Sequence, residues 1–150
     1  MVLGDYLDDE KKRQYIHSRL KPGAILYRHC EFTKPPKSKF LLVLQVQSET
    51  LVFVINSAIN SFLESKKPLR EAQISIDQAN HTFLDYDSYI NCTEIECLDT
   101  AILVEEIMQN MDQIKGCITE GLKAKVIATI DDSFTLSPAE IAKLVASLSI

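Results

Sequence analysis

The apolar residues of this chain change period near Leu98. Ahead of that point they form short runs broken by turn residues, and beyond it they recur at helical spacing. Residues 5–20 read as a charged helix in which Tyr6, Ile16 and Leu20 share a face. Asp8, Asp9 and Glu10 stand early and the lysines and arginines late, as the helix dipole prefers. Pro22-Gly23 ends that helix and Ala24 to Tyr27 follows as a strand. Thr33-Lys34-Pro35-Pro36-Lys37-Ser38-Lys39 reads as a mobile loop, because two prolines oppose regular pairing and three lysines favour solvent. Phe40 to Val46 and Leu51 to Ile55 are apolar strands joined by the hairpin turn Gln47-Ser48-Glu49-Thr50. Asn56 to Ser61 closes the pair. A helical turn over residues 61–68 is expected to stop at Pro68. Glu71 to Ile76 alternates, with Ala72, Ile74 and Ile76 on one face, and predicts a half-buried strand. Thr82-Phe83-Leu84 and Ser88 to Cys92 are further strand candidates.

Past Leu98, Ala101, Leu103, Val104, Ile107, Met108 and Met111 predict an amphipathic helix over residues 99–112 capped by Asp99 or Thr100. Ile114 to Thr119 reads as a strand passing into a helix that runs from Thr119 to about Ile130, ended by Asp131-Asp132-Ser133. Ser137-Pro138-Ala139-Glu140 is a capping box with proline at the first helical position. It opens a last helix with Ile141, Leu144, Val145 and Leu148 inward. Short strands followed by helices predict an α+β fold that is mainly β: an SH3-like bent antiparallel barrel. The expected organisation is one domain over residues 1–150. It has a helical segment at 1–20, a barrel core at 21–95, and helices over 96–150 with a closing strand near 114–118.

Composition narrows the function without naming it. The 150 residues suffice for one domain with a proper core, and 46% hydrophobic with 25% charged is ordinary for a globular protein. No apolar run approaches the roughly 20 residues that span a bilayer, and Met1 to Tyr6 lacks the basic and apolar regions of a secretory signal. A cytoplasmic protein without membrane contact is expected. Cys30, Cys92, Cys97 and Cys117 lie in or beside apolar segments and read as buried reduced thiols. The net charge of −5 opposes strong non-specific nucleic-acid binding but leaves room for a local basic groove.

The residues that carry candidate chemistry each have a plainer reading. Lys34, Lys37 and Lys39 suit RNA phosphates, or simply a solvated loop. Asn56 and Ser57 suit a substrate contact, or a turn at a strand end. His81 suits proton transfer near neutral pH, or a polar turn. His29-Cys30 and the set His81, Asp87 and Cys92 match no ligand spacing of a metal site, so neither metal nor cofactor is expected. Asp85-Tyr86-Asp87-Ser88-Tyr89 gathers two carboxylates, two phenols and a hydroxyl. It reads as a base-stacking surface, or as a β-turn whose tyrosines pack back on the barrel.

Lys21-Pro22-Gly23-Ala24-Ile25-Leu26-Tyr27, then Phe32-Thr33, then Lys39-Phe40-Leu41-Leu42-Val43-Leu44-Gln45, resembles the opening of the MazF/PemK-like toxins. Lys115-Gly116-Cys117-Ile118-Thr119 with Leu122 and Val126 is similar to their closing strand and helix. The resemblance covers residues 21–57 and 113–130. It implies a toxin–antitoxin endoribonuclease that works on single-stranded RNA without a metal, because the RNA's own 2′-hydroxyl is the nucleophile. It further implies a homodimer and an antitoxin partner. Lys39 stands where the family carries an arginine, Phe40 where it carries proline, and Ser57 at its hydroxyl position. The resemblance places Lys39 and Ser57 at the catalytic positions; the residue readings add His81 to the catalytic set, with Arg28 or His81 as auxiliary groups, and give Arg28, Lys34, Lys37, Asn56 and Arg70 as the substrate-binding set. The rival reading is a non-catalytic protein-interaction module on the same fold, using the acidic helix 99–112 as a partner surface.

Overall fold

The computed structural model describes residues 8–150, so Tyr6 and its expected place on the first helix lie outside the described residues. Helix α1 (Asp9–Arg19) is capped by the Asp8 carboxylate, which accepts from the Lys11 N–H at 2.8 Å. Gly23 makes the turn out of it with φ +94, a conformation that favours glycine, and its N–H donates to the Val43 carbonyl at 2.8 Å. Strands β1 (Ala24–Cys30), β2 (Lys37–Val46) and β3 (Glu49–Asn56) then form an antiparallel meander.

Two short helices, α2 (Ser61–Ser65) and α3 (Lys67–Glu71), lead to β4 (Gln73–Ile76) and β5 (Ser88–Asn91). Strand β6 (Glu96–Asp99) precedes α4 (Thr100–Gln109), and a 3₁₀ turn at Met111–Gln113 precedes β7 (Ile114–Cys117). Helices α5 (Glu120–Asp131) and α6 (Pro138–Leu148) follow.

The strands form one curled antiparallel sheet in the order β4-β5-β3-β2-β1-β7, with β6 paired to the first half of β3 and β5 to its end. The fold is therefore α+β, an antiparallel sheet with helices on both faces. One face buries Ile25, Leu42, Leu44, Phe53, Ile55 and Ile90 against Leu122, Val126 and Ile130 of α5 and Leu144 and Leu148 of α6. The other buries Leu26, Leu41, Val43 and Val52 against Ile16 of α1 and Leu103, Val104 and Ile107 of α4. Covering both faces explains why Leu41 to Leu44 is an unbroken apolar run: each successive side chain meets a core. Each fully buried leucine or isoleucine contributes about 1.5–3 kcal/mol relative to exposure.

Several elements differ from the sequence expectation. Lys37, Ser38 and Lys39 belong to β2, so the proline-rich loop ends at Pro36. The Thr33 hydroxyl organises that loop: it accepts from the Lys37 N–H at 3.0 Å and lies 3.0 Å from the carbonyl oxygens of Cys30 and Pro35. Pro68 does not stop a helix but stands in the first turn of α3, where its missing N–H would have had no helical partner anyway. Thr82-Phe83-Leu84 is a turn, closed by the Leu84 N–H on the His81 carbonyl, and not a strand.

Strand β6 was not expected, because Glu96-Cys97-Leu98-Asp99 is short and half charged; its pairing with β3 defines it. Cys30 and Cys92 are buried thiols, but Cys97 and Cys117 are exposed, since β6 and β7 are edge strands. The capping box is present, with the Ser137 N–H on Glu140 at 2.9 Å and the Glu140 N–H on the Ser137 hydroxyl at 3.1 Å. Among the described residues, no helix is long and apolar enough to cross a membrane.

Candidate functional site

Strand register brings Arg28, Lys39 and Asn56 into one row. Arg28 is opposite Lys39 across β1 and β2, and the Phe40–Ile55 pairing sets Lys39 beside Asn56. The register carries the row on to Tyr89 of β5. Side chains directly opposite in an antiparallel pair share a face, so this row continues the face that holds Leu26 and Leu41. It lies at the end of the sheet where Lys37 and the buried Cys30 are also paired.

The Lys39 ammonium donates to the Asn56 side-chain oxygen at 2.9 Å. Burial holds its pKa below the ordinary lysine value, and the second ammonium on Lys37 acts in the same direction. The Cys30 thiol is shifted upward by burial, with Arg28 and Lys39 opposing that shift.

Around the start of β2 is a small pocket of about 170 Å³ lined by Lys37, Lys39, Ser57, Asp85, Tyr27 and Tyr86, among others. The pocket borders both faces of the strand end: Lys37 and Lys39 alternate with Ser38 and Phe40, so the lysines share the face of Leu41 and Asn56 while Tyr27, Phe40 and Ile55 share the other. Tyr86 is 59% exposed and Tyr27 40% exposed. Tyr27 stacks obliquely on Phe40, with ring centroids 4.6 Å apart, and Phe40 on Phe83 at 5.9 Å, so the outer ring is backed by a packed aromatic column. The Ser88 hydroxyl donates to the Tyr86 carbonyl at 3.0 Å, fixing the turn that presents Tyr86. Tyr86 does not pack back on the sheet; Tyr89 is the half-buried member of that cluster.

The remaining expected site residues lie elsewhere. Arg28 shares the row with Lys39, but its guanidinium is held by Glu106 of α4, with contacts of 2.8, 2.9 and 3.1 Å. The pair is half-buried and its contacts are bidentate, so the arginine's charge is already matched. Lys34 is exposed in the loop before β2 and does not line the pocket. Arg70 is on α3, where it donates to the Glu64 carbonyl at 3.0 Å, and it too is absent from the pocket lining.

His81 is only 2% exposed. Its Nδ1 lies 3.0 Å from the Asp77 carbonyl oxygen, and its Nε2 accepts from the Thr119 N–H at 3.3 Å. Both ring nitrogens are thereby used to tie the 77–84 turn to the residue that caps α5.

Scans of the chain against protein-family models and against curated proteins find no match. The site must be read from its own geometry. Sequence reasoning reached Lys37, Lys39, Asn56 and Ser57, and noticed Asp85 and Tyr86, but did not single out Tyr27 as a site residue. Its placement depends on the β1–β2 register, which puts it opposite Phe40. Nothing local in Ile25-Leu26-Tyr27-Arg28 distinguishes an exposed phenol from a core one.

Proposed function

We propose that this chain is a metal-independent endoribonuclease for single-stranded RNA, built on an SH3-like barrel of the MazF/PemK-like kind, with its chemistry at the start of β2. The observation that carries the reading is the pocket at the start of β2, whose border includes Lys37, Lys39, Ser57 and Asp85 together with the exposed rings of Tyr27 and Tyr86. Lysines that neutralise phosphate beside aromatic rings on which bases stack are the recurring combination for unpaired nucleic acid.

The reaction is an in-line transesterification. The ribose 2′-oxygen bonds to the adjacent phosphorus while the bond to the 5′-oxygen breaks, leaving a 2′,3′-cyclic phosphate and a 5′-hydroxyl. The Asp85 carboxylate takes the 2′-hydroxyl proton and the Lys39 ammonium donates one to the departing 5′-oxygen. Lys37 offsets charge on the phosphorane and Ser57 hydrogen-bonds a phosphate oxygen. The lowered pKa of Lys39 favours this role, since a less basic ammonium is a better proton donor. His81 has no part in the step, because neither ring nitrogen is free. An antitoxin partner and a homodimer belong to the same reading.

The engagement of Arg28 by Glu106 favours a second reading, a protein-interaction module, because it removes the neighbouring arginine from phosphate binding. Purified protein incubated with a long single-stranded RNA and a chelator separates the two. Fragments ending in cyclic phosphate support the nuclease. Intact RNA at high protein concentration favours the interaction module.

A further inference from the structure

Lys39 and Gln45 are six residues apart on β2, so at ~3.3 Å per residue the far end of the strand is about 20 Å from the proposed nuclease pocket. That far end holds a larger cavity of about 710 Å³, within the roughly 300–1,000 Å³ usual for small-molecule sites. Its walls come from the end of β2, the turn at Lys21–Gly23, the start of α5 and the end of α6.

The informative side chain is Gln45. The β2–β3 register shifts between Val43 and Gln45, which is the signature of a bulge and re-aims the residues beside it. The Leu44 carbonyl at this shift is satisfied by the Ser147 hydroxyl at 2.9 Å. Gln45 is only 8% exposed and lines the cavity, yet its side-chain amide makes no hydrogen bond to any described residue. The amide stays open to the cavity, so a ligand seated there can pair with it without displacing a protein partner.

Lys21 and Lys123 line the same cavity, and neither forms an ion pair among the described residues. Glu120 is a carboxylate in the lining, while Val46 and Ile118 supply apolar wall. The start of α5 adds the positive end of a helix dipole.

We infer that this cavity binds a small organic anion whose carboxylate or phosphate pairs with Lys21 and Lys123 and whose neighbouring donor–acceptor edge pairs with the Gln45 amide. A purine nucleotide has that chemistry, since the N6–H and N1 of adenine stand side by side. An amide presents one donor side and one acceptor side, and matches an edge of the same kind in two parallel hydrogen bonds. The site is separate from the nuclease pocket and does not depend on the RNA reading.

The test is a titration of isotopically labelled protein with adenosine monophosphate, following the side-chain amide signals of Gln45, with two controls: inorganic phosphate, and N-acetylalanine, whose trans amide holds its N–H and C=O on opposite sides. Adenosine monophosphate is expected to shift those signals saturably at millimolar concentration or below. Gln45→Leu should weaken that binding at least about tenfold, and Lys123→Gln should weaken it while keeping the fold, since Lys123 is at the surface. Three results would each overturn the inference: no saturable shift with adenosine monophosphate, unchanged affinity in both variants, or either control binding as tightly as adenosine monophosphate. RNA cleavage by Gln45→Leu should equal that of the unsubstituted protein, which keeps this test apart from that of the nuclease.

Discussion

The Lys39 ammonium is 2.9 Å from the Asn56 side-chain oxygen, and that neutral partner is its one side-chain hydrogen bond among the described residues. The lysine is therefore half-buried and oriented without being neutralised. Arg28, directly across the strand pair, has the opposite fate because Glu106 matches its charge. Of the two cations in this row, Lys39 is the one free to meet a phosphate.

The lowered pKa of Lys39 makes a prediction about stability. Its folded value lies below the unfolded one, so between the two the unfolded chain binds more protons and stability rises with pH. This contribution is fully present above the unfolded value and is lost as pH falls through the folded one. Denaturant unfolding measured across the alkaline range should show the rise, and Lys39→Met should flatten it.

Glu106→Gln should release Arg28. Breaking this half-buried pair is expected to cost about 1.5–3 kcal/mol in denaturant unfolding, since hydrogen bonds to charged groups are worth that much. RNA binding should tighten, and the slope of log affinity against log salt should steepen by about 0.7, the increment for one further phosphate contact on a single strand. Weaker RNA binding in a folded Glu106→Gln would mean that Arg28 acts only on α4.

His81→Leu should destabilise without disabling. It leaves the Thr119 N–H and the Asp77 carbonyl without their partner, at about 1–3 kcal/mol each at most. Under conditions where the variant is fully folded, cleavage per molecule should remain. A drop as deep as that of a Lys39 variant would instead place His81 in the chemistry.

Tyr86→Ala should weaken single-stranded RNA binding by about 1–3 kcal/mol, the usual worth of one base stacked on a ring. Thermal stability should hardly change, because the ring is largely in solvent. Unaltered binding would remove Tyr86 from the interface.

Much of the fold is legible in the sequence because its signals are local. The box at Ser137 and Glu140, the cap at Asp99 and the apolar runs of β2 and β3 each specify their element in a few residues. Strand β6 is not legible, because its existence depends on a partner strand distant in sequence. The site divides in the same way. Lys37 and Lys39 are two apart on β2 and Ser57 follows the end of its hairpin partner, so the hairpin reading and the family resemblance reach them. The capture of Arg28 by Glu106, the burial of His81 against Thr119 and the exposure of Tyr27 are products of register and helix docking. No reading of their neighbours discloses them.

The most direct test of the account is the rate of RNA cleavage, in chelator, by the unsubstituted protein, Lys39→Ala and Lys39→Arg. The unsubstituted chain should cut single-stranded RNA to cyclic-phosphate ends. Lys39→Ala, with its fold intact, should be slower by roughly 10²–10³, the cost of removing one electrostatic contact from a transition state. Lys39→Arg should retain cleavage, because a planar guanidinium also binds the phosphate oxygens. Intact RNA with both the unsubstituted protein and Lys39→Arg, or equal cleavage by Lys39→Ala, would contradict the assignment of this pocket to RNA cleavage.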